Sequence, residues 1–432
     1  MSVSSGCQLQ VSLRGAQDIL LMSPREDTFF RVEYRRHSNF ASGESDQSTG
    51  TTAAMGRRNI QTTIARAGDL LSQVYMHAEF SPIVPTVPAQ WSAVNFVGLT
   101  DGLGYAMIDE IVCLIGNKEF DRQDGEYMFM REQLAAKPNR QISQAAHYFG
   151  GVQAQAAINS LKPVELNVPL QFWFNNHVEQ SISVIGLYWH DIQVSLSLKT
   201  QAEMMFTGGA GLPGGYTGGA LTDLHFVCNF QYLDKPEREL FANQKLEQVF
   251  VQHQTLGEES WAAADTVHTS NIRMNHPITD LMWAPRLVSN TALNDWFNYD
   301  GPVYVPWALG PVVPAAESYL TAQIFLNNQQ RTLPLTAEYL RQIPQHRSQE
   351  RISVGHRIAG YCFGAKVNDI LHTGSANFSR YDNAQIRFTL HGAVAPAWST
   401  TALGAAATVR IHARNFQLNK TSIGMMGIKF AA

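Results

Sequence analysis

The chain has 432 residues and a mass of 48.0 kDa, which is long enough for two or three domains, each with its own core. Only 16% of its residues are charged, against about 25% in typical globular proteins. Its surface is therefore covered by loops of small polar residues or buried against other subunits. The net charge is −4, and Lys and Arg form nothing larger than short pairs such as Arg35–Arg36. This argues against direct binding of nucleic acid.

Local composition excludes further classes of protein. No run approaches about 18 apolar residues and no cationic segment precedes an apolar stretch, so we expect neither a membrane span nor a signal peptide. The cysteines, Cys7, Cys113, Cys228 and Cys362, stand more than 100 residues apart, which excludes zinc ribbons and Cys-x-x-Cys redox motifs. Cys113 and Cys228 lie in apolar runs, so their side chains are expected to be buried. This use of cysteine fits a protein of a reducing compartment.

Period-two alternation of β-branched and aromatic residues predicts eight strands in the first half, as in two packed four-stranded sheets. They are expected near residues 28–37, 59–66, 70–80, 105–115, 118–122, 165–174, 184–198 and 222–233. The connections 81–104 and 123–164 are long, and the second contains a helix at 125–134. The Gly-rich stretch 207–219 precedes a strand and lacks Gly-Lys-Ser/Thr, which favours a surface loop over a phosphate cradle.

A short charged helix at 234–241 is predicted to bridge the halves, and the second half then repeats the plan of the first. Its strands are expected near residues 245–255, 268–274, 278–285, 318–327, 358–365, 380–391 and 408–418. Its long loops, 286–317 and 333–357, fall where the first half also has its long ones.

The chain also repeats itself in sequence. Residues 115–117 and 126–128 recur at 326–328 and 338–340, residues 193–198 at 385–390, and residues 229–231 at 415–417. The order is kept while the offset shrinks from 212 to 186 residues, as expected for two copies of one β-domain with different loop lengths. We therefore predict an all-β fold of two tandem eight-stranded antiparallel jelly rolls, with long loops and a few short helices. The predicted division is an N-terminal segment 1–25, a first jelly roll 26–240 and a second jelly roll 241–432.

No pattern typical of a catalytic or metal-binding jelly roll is found. A metal site of the cupin type needs His-x-His with a carboxylate and a further His. None of the 14 histidines forms His-x-His, and the closest pair, His268 and His276, is eight residues apart, with His276 in a turn before Pro277. We therefore expect no metal ligands and no cofactor.

Other polar and aromatic candidates favour structural roles. His190 and Asp191 are adjacent on a predicted strand and would point to opposite faces, and no nucleophile motif accompanies them, so we expect no catalytic residue. Trp173, Trp189 and Trp283 are expected to pack in the core rather than stack on a sugar. Asn377 and Asn419 begin Asn-x-Ser/Thr sequons and are possible glycosylation sites, for which chance occurrence is the default.

Several sequence blocks resemble the major capsid proteins of nucleocytoplasmic large DNA viruses, the group that includes chlorella-virus, iridovirus and mimivirus-like proteins. They include R-x-G-D-L at 66–70, P-L-x-F-W-F at 169–174, N-H-P-x-x-D-L-x-W at 275–283 and S-x-N-F-S-R-x-D-N-A at 375–384. Seven blocks in order carry the resemblance, at residues 15–41, 66–70, 115–127, 169–174, 275–283, 375–384 and 413–427. The departures are small: Asn117 replaces a hairpin glycine and Ile423 replaces the usual Ser before Gly424.

The resemblance implies a major capsid protein, not an enzyme, that forms homotrimers. Three chains with two jelly rolls each give a pseudo-hexameric capsomer that tiles the icosahedral shell of a large double-stranded DNA virus, assembled in the host cytoplasm. Long loops between the fourth and fifth strands and between the sixth and seventh are implied to form outer towers, and the stretches 81–104 and 286–317 to add trimer contacts. The implied partners are neighbouring capsomers and minor capsid and penton proteins. Segment 1–25 is placed by analogy on the inner side, near those proteins or a membrane.

Two other interpretations stay open. A double jelly-roll hydrolase or carbohydrate-binding protein would need convergent carboxylates or aromatic side chains exposed in a cleft. A minor capsid or penton-like protein would keep the fold, although a penton generally needs one jelly roll per position.

Overall fold

The computed structural model describes most of the chain. The described residues are 26–27, 32–33, 38–50, 54–57, 59–88, 91–92, 95–135, 145–208, 215–243, 245–300, 317–352, 356–369, 373–392 and 404–430. The predicted segment 1–25 and most of the strand predicted at 28–37 lie outside these residues. Within them, no helix is long and apolar enough to cross a membrane.

Strands of the first half form two principal sheets. The strands are β1 Glu26–Asp27, β2 Val32–Glu33, β3 Phe40–Ser48, β4 Ile60–Thr63, β5 Leu70–Phe80, β6 Val84–Pro85, β7 Phe96–Leu99, β8 Ile108–Ile115, β9 Lys118–Gln123, β10 Val164–Pro169, β11 Ile182–Ser183, β12 Ile192–Leu198, β13 Met205–Gly208, β14 Tyr216–Thr217 and β15 Leu221–Leu233. One sheet has the order β10-β5-β15-β3, with β11 also paired to β5, and the other has the order β4-β12-β8-β9.

Strands of the second half build the corresponding pair of sheets. They are β16 Leu246–Thr255, β17 Glu259–Trp261, β18 Val267–Asn271, β19 Pro277–Trp283, β20 Arg286–Leu287, β21 Thr321–Leu326, β22 Gln329–Gln330, β23 Leu335–Thr336, β24 Ala359–Cys362, β25 Ala376–Asn377, β26 Ala384–Thr389, β27 Ala407–Val409, β28 Ile411–Ser422 and β29 Met425–Ile428. The principal orders are β16-β28-β19-β24 and β18-β26-β21-β22.

The described helices are short and lie in the connections. They are α1 Leu103–Ala106, α2 Gly125–Ala135, α3 Gln153–Asn159, α4 Trp173–Asn176, α5 Gln201–Met204, α6 Lys235–Asn243, α7 Val288–Ala292 and α8 Ala337–Ser348, with 3₁₀ turns at Val178–Gln180 and Phe378–Arg380. Helix α6 is the charged bridge predicted between the halves, and α2 is the helix predicted at 125–134.

The two halves have the same topology strand for strand. In each half we number the eight principal strands in chain order: β3, β4, β5, β8, β9, β10, β12, β15 in the first, and β16, β18, β19, β21, β22, β24, β26, β28 in the second. Both halves then give one sheet with the order 1-8-3-6 and one with the order 2-7-4-5, all antiparallel. The prediction of two tandem eight-stranded jelly rolls is confirmed.

The repeated sequence segments occupy equivalent places. Residues 115–117 and 326–328 both contain the end of the fourth strand and the turn that follows it. Residues 193–198 lie on the seventh strand of the first half, and residues 385–389 of the matching segment lie on the seventh strand of the second. At the two turns, Gly116, Asn117, Asn327 and Asn328 all have φ between 50° and 61°, the backbone that a two-residue type I′ hairpin requires and that Gly and Asn tolerate best.

Alternation along β5 shows how the sequence builds these sheets. Val74, Met76 and Ala78 are buried in the core, whereas His77 and Glu79 point to the opposite, outward face. Cys113 and Cys228 are buried on core faces of β8 and β15, as predicted.

Several predicted boundaries are wrong. Strand β3 was not predicted, because its inward positions include Ala41, Gly43 and Gln47, which give no strong strand signal. The strand predicted at 165–174 ends at residue 169, and only 192–198 of the segment 184–198 forms the predicted long strand. The connection between the fourth and fifth strands is a tight hairpin, so the long connections follow the third and fifth strands instead.

The segment 333–357 was predicted to be a loop and instead contains α8. The Thr336 hydroxyl accepts a hydrogen bond from the Tyr339 N–H at the start of this helix, and Glu338 lies in its first turn. Pro344 lies within the helix, where proline is disfavoured. The helix follows the fifth strand, as α2 does in the first half, so it belongs to the duplicated plan.

Candidate functional site: the junction between the jelly rolls

The two jelly rolls share a continuous apolar core where β9 meets β16. Phe120 and Trp173 of the first half and Phe250 of the second are buried. The Phe250 ring centroid lies 4.8 Å from that of Trp173 and 6.1 Å from that of Phe120. Such aromatic contacts contribute about 0.5–1.5 kcal/mol beyond area burial. The junction is therefore packed like a domain interior.

Hydrogen bonds also join β9 to β16 at the junction. The buried Asp121 carboxylate accepts from the His253 backbone N–H at 2.9 Å, and Gln252 Nε2 donates to the Phe120 carbonyl at 2.9 Å. Gln123 Nε2 donates to the second Asp121 oxygen at 2.7 Å. Burial raises the pKa of Asp121 to about 7, although these hydrogen bonds oppose the rise.

His253 is held as a neutral side chain in this interface. Its ring stacks on Tyr127 of α2 with centroids 3.8 Å apart, and its Nδ1–H donates to the Arg122 carbonyl at 2.7 Å. Its Nε2 lies 3.1 Å from His412 Nδ1. Burial lowers the pKa of His253 to about 4, helped by His412 and opposed by Asp124. The histidine therefore acts as a packed hydrogen-bonding group at the junction.

A second contact joins α2 to the segment after α7. The rings of Phe129 and Phe297 stack with centroids 4.0 Å apart. The hydroxyl of Tyr148 forms a hydrogen bond with His356 Nε2, and the His356 ring packs edge-on against Phe129. Burial lowers the pKa of His356 to about 4. Residues of both halves are thus interlocked at two separate places.

A buried ion pair stabilises the second jelly roll beside the junction. Arg414 Nε and Nη2 donate to the two carboxylate oxygens of Asp280 at 2.8 and 2.9 Å, and Nη1 donates to Asn368 at 2.7 Å. Asp280 and Arg414 lie on neighbouring strands, β19 and β28, and both belong to sequence blocks that carry the family resemblance. This ion pair gives a physical reason for the presence of Asp280 and Arg414 in these two sequence blocks.

The bridging helix α6 is tied to the first jelly roll by Asp69. This buried carboxylate accepts from the Leu233 N–H at 2.8 Å and from Arg238 of α6 at 2.9 Å. The preceding Gly68 is required because a Cβ there would lie 2.5 Å from Cβ of Phe230. The R-x-G-D-L block at 66–70 therefore controls how the chain leaves the first jelly roll.

The histidines, the carboxylate and the tryptophans considered as site residues from the sequence are dispersed in the structure. His268 pairs with Glu259 at 2.9 Å, and His276 lies elsewhere at a turn with φ 68°. His190 and Asp191 do not form a dyad: His190 accepts from the Met426 N–H, whereas Asp191 pairs with Arg66. Trp173 and Trp283 are buried, but the prediction for Trp189 was wrong, since it lies outside any strand and is 77% exposed.

The two sequons differ in accessibility. Asn377 is exposed, on β25, and its side-chain oxygen accepts from the Ser379 N–H. Asn419 is buried in β28. Sequence alone showed neither this difference nor the junction residues Phe250 and His253, because no local pattern marks the partner of a residue more than 100 positions away.

The fold and its packed junction define a double jelly-roll protein. Two family models match the chain in tandem, the major capsid protein N-terminus over residues 28–223 and the large eukaryotic DNA virus major capsid protein over residues 237–427. The chain belongs to this family, the major capsid proteins of large eukaryotic DNA viruses.

Relatives and solved structures agree with this membership. The chain is 23% identical to the major capsid protein of Pyramimonas orientalis virus, over 99% of each chain, and 24% identical to that of Paramecium bursaria Chlorella virus 1, over 98% of each. It superposes on the PBCV-1 virus capsid quasi-atomic model with a TM-score of 0.75 and 21% identity, covering 94% of this chain and 100% of that chain. For the Faustovirus major capsid protein the TM-score is 0.68 at 11% identity, covering 92% of this chain and 93% of that chain. These structures are similar in fold.

The function follows from family membership. The chain is a structural subunit of a virus capsid, assembles with other capsid subunits and resides in the virion shell.

Proposed function

We propose that the chain forms a homotrimer that serves as a pseudo-hexameric capsomer of an icosahedral shell. The observation that carries this proposal is the strand-for-strand equivalence of two jelly rolls in one chain, which pack against each other at the junction. Three such chains around a closed threefold axis present six similar units, which is the outline a hexagonal lattice needs. We place the boundary between the two jelly rolls of each chain between residues 240 and 241.

The two ends of the jelly rolls suggest how the capsomer is oriented. The short connections at 66–69 and 116–117 meet the last part of the connection between the sixth and seventh strands, residues 184–191, at one end. There Arg66 pairs with Asp191 and the Gly116 N–H donates to the Asp191 carbonyl. The long connections meet at the other end, where the Lys199 N–H donates to the Met107 carbonyl. We place the long loops on the outside, as towers that also hold the trimer together.

An exposed apolar patch supports an inner role for the short-loop end. Tyr188, Trp189, Ile423 and Met425 are 57%, 77%, 80% and 47% exposed, and the Trp189 N–H donates to the Gly424 carbonyl, which brings the two segments together. Exposed patches of this kind mark protein contact surfaces. We assign this end, with segment 1–25, to contacts with minor capsid proteins. Contacts with neighbouring capsomers and pentons complete the shell.

A purely structural role is supported by the charged cleft at the junction. Three of the five carboxylates that line it face guanidinium groups: Arg410 lies 3.3 Å from Asp124 and 3.5 Å from Glu258, and Arg286 lies 3.8 Å from both Glu126 and Glu258. A glycoside hydrolase needs two carboxylates free to act as acid and base or nucleophile. Salt bridges hold these three carboxylates, which supports a role of the cleft in joining the jelly rolls. A glycan on the folded chain would attach at Asn377 and not at the buried Asn419.

Light scattering during size-exclusion chromatography tests the trimer. We expect a mass of about 144 kDa, three times 48.0 kDa, that survives dilution and EDTA, because obligate interfaces bury about 2,000–5,000 Å². A folded monomer of 48.0 kDa would contradict the proposal. The Trp189→Ser variant serves as a matched test of orientation. This variant should keep the mass of the trimer. A monomeric Trp189→Ser protein would instead indicate that the trimer contacts lie at the short-loop end.

A further inference from the structure

The outward face of the first sheet carries an unusual set of side chains. Strands β3, β5, β10 and β15 contain no Lys or Arg, whereas their outward positions hold five exposed carboxylates, Glu44, Asp46, Glu79, Glu165 and Asp223. Such a face has a negative potential that concentrates cations.

Two histidines lie directly opposite each other in the middle of this face. His77 of β5 pairs in register with His225 of β15, and their ring centroids are 4.5 Å apart. The next outward position of β15 is Asp223, which lies two residues before His225 and therefore on the same face of the strand. One nitrogen from each histidine and one Asp223 oxygen all lie within 4.8 Å of one another.

We propose that His77, Asp223 and His225 form a binding site for a divalent transition-metal ion of the zinc type. Zinc binds imidazole nitrogen at about 2.0–2.1 Å and carboxylate oxygen at about 2.0–2.2 Å, so ligand atoms around one ion lie about 3–4 Å apart. The observed spacing reaches this range with small side-chain rotations. Two imidazoles and a carboxylate suit zinc, copper or nickel better than calcium or magnesium, which prefer oxygen ligands.

The surroundings supply what a metal site needs beyond its three ligands. His77 Nδ1 lies 2.9 Å from Asn167 Oδ1, so an Nδ1–H donated to this amide orients the ring and leaves Nε2 for the ion. Glu79 Oε1 lies 3.6 Å from His77 Nε2 and is placed to act as a fourth ligand. The ion would clamp β5 to β15, the two central strands of this sheet.

Zinc titration of the full-length chain, freed of metal beforehand, tests the site by competition with a chromogenic chelator. We expect one tight zinc per chain, a melting temperature that rises with zinc, and no competition from calcium. His225→Ala and Asp223→Asn should each weaken zinc binding at least tenfold. Both side chains are partly exposed, so folding should be preserved, which circular dichroism would check.

The chain offers a matched control. His268 also pairs with a carboxylate, Glu259 at 2.9 Å, but no second histidine joins them among the described residues. His268→Ala should therefore leave zinc affinity unchanged. Absence of tight binding, or binding that survives both His77→Ala and His225→Ala, would overturn the proposal. Neither result would bear on the proposed trimer, because the oligomeric state is determined from the mass measured by light scattering.

Discussion

At the scale of single residues, the buried ion pair between Arg414 and Asp280 is the contact whose loss should cost most. Both side chains are almost fully removed from water, and Arg414 makes two hydrogen bonds to the carboxylate. Arg414→Met should therefore lower the free energy of unfolding by about 3–5 kcal/mol, because Asp280 would be left charged, buried and unpaired. Urea denaturation of the purified chain measures this loss.

An exposed pair provides the comparison. Lys235 and Glu239 on α6 lie 4.0 Å apart with side chains 85% and 66% exposed, so Lys235→Ala should change stability by no more than about 0.5 kcal/mol. Equal losses for Arg414→Met and Lys235→Ala would show that burial does not set the strength of the Arg414–Asp280 pair.

At the scale of elements, the contact between α2 and the segment that contains His356 should be sensitive to acid. His356 has a pKa of about 4 in the folded chain because of burial, and about 6.5 when unfolded. Its contribution to stability is therefore complete above pH 6.5 and is lost as the pH falls toward 4. Between pH 7 and pH 5 this residue should cost the chain about 2 kcal/mol.

Comparison of the wild type with His356→Gln isolates this effect. Glutamine keeps a neutral hydrogen-bonding group beside Tyr148 but does not titrate, so the variant should lose about 2 kcal/mol less between pH 7 and pH 5 in urea denaturation. The comparison is necessary because Asp121, with its pKa raised to about 7, acts in the opposite direction. Its contribution is present at low pH and is lost as the pH rises through 7. Parallel pH profiles for the two proteins would contradict the assignment to His356.

The elements also show what the sequence could predict. Strands with apolar alternation, such as β5 and β15, were placed within a residue, since burial of one face dictates the pattern. Helix α8 was missed because Pro344 and a polar sequence obscured it, although residues 338–340 match residues 126–128 of α2. The match already implied a helix at this position of the repeat.

Side-chain groups built across strands were less predictable. Asp223 and His225 are separated by one residue and therefore share a strand face, a signal that the search for His-x-His did not include. Their partner His77 could not be found in this way, because only the pairing of β5 with β15 brings it into register. The Arg414–Asp280 pair is hidden for the same reason, since its members are 134 positions apart in the sequence.

At the scale of the whole molecule, the shared core should make the two jelly rolls unfold together. One apolar cluster contains most of the first jelly roll together with Phe250, Phe297 and Ile358 of the second, whereas the other cluster, around Phe388, lies entirely in the second. Phe250 is fully buried between Phe120 and Trp173. Phe250→Ala should cost about 3–5 kcal/mol and also separate the unfolding of the two halves.

Phe388→Ala is the matched control for this prediction, since it opens a similar cavity inside the second jelly roll without touching the junction. Hydrogen exchange followed by mass spectrometry during urea unfolding would report each half separately. The wild type and Phe388→Ala should show one coincident transition, and Phe250→Ala two. Separate transitions in the wild type would mean that the junction is not rigid. The proposed capsomer of six units could not then rely on the junction to keep the angles between them fixed, and the lattice geometry would have to come from contacts between chains.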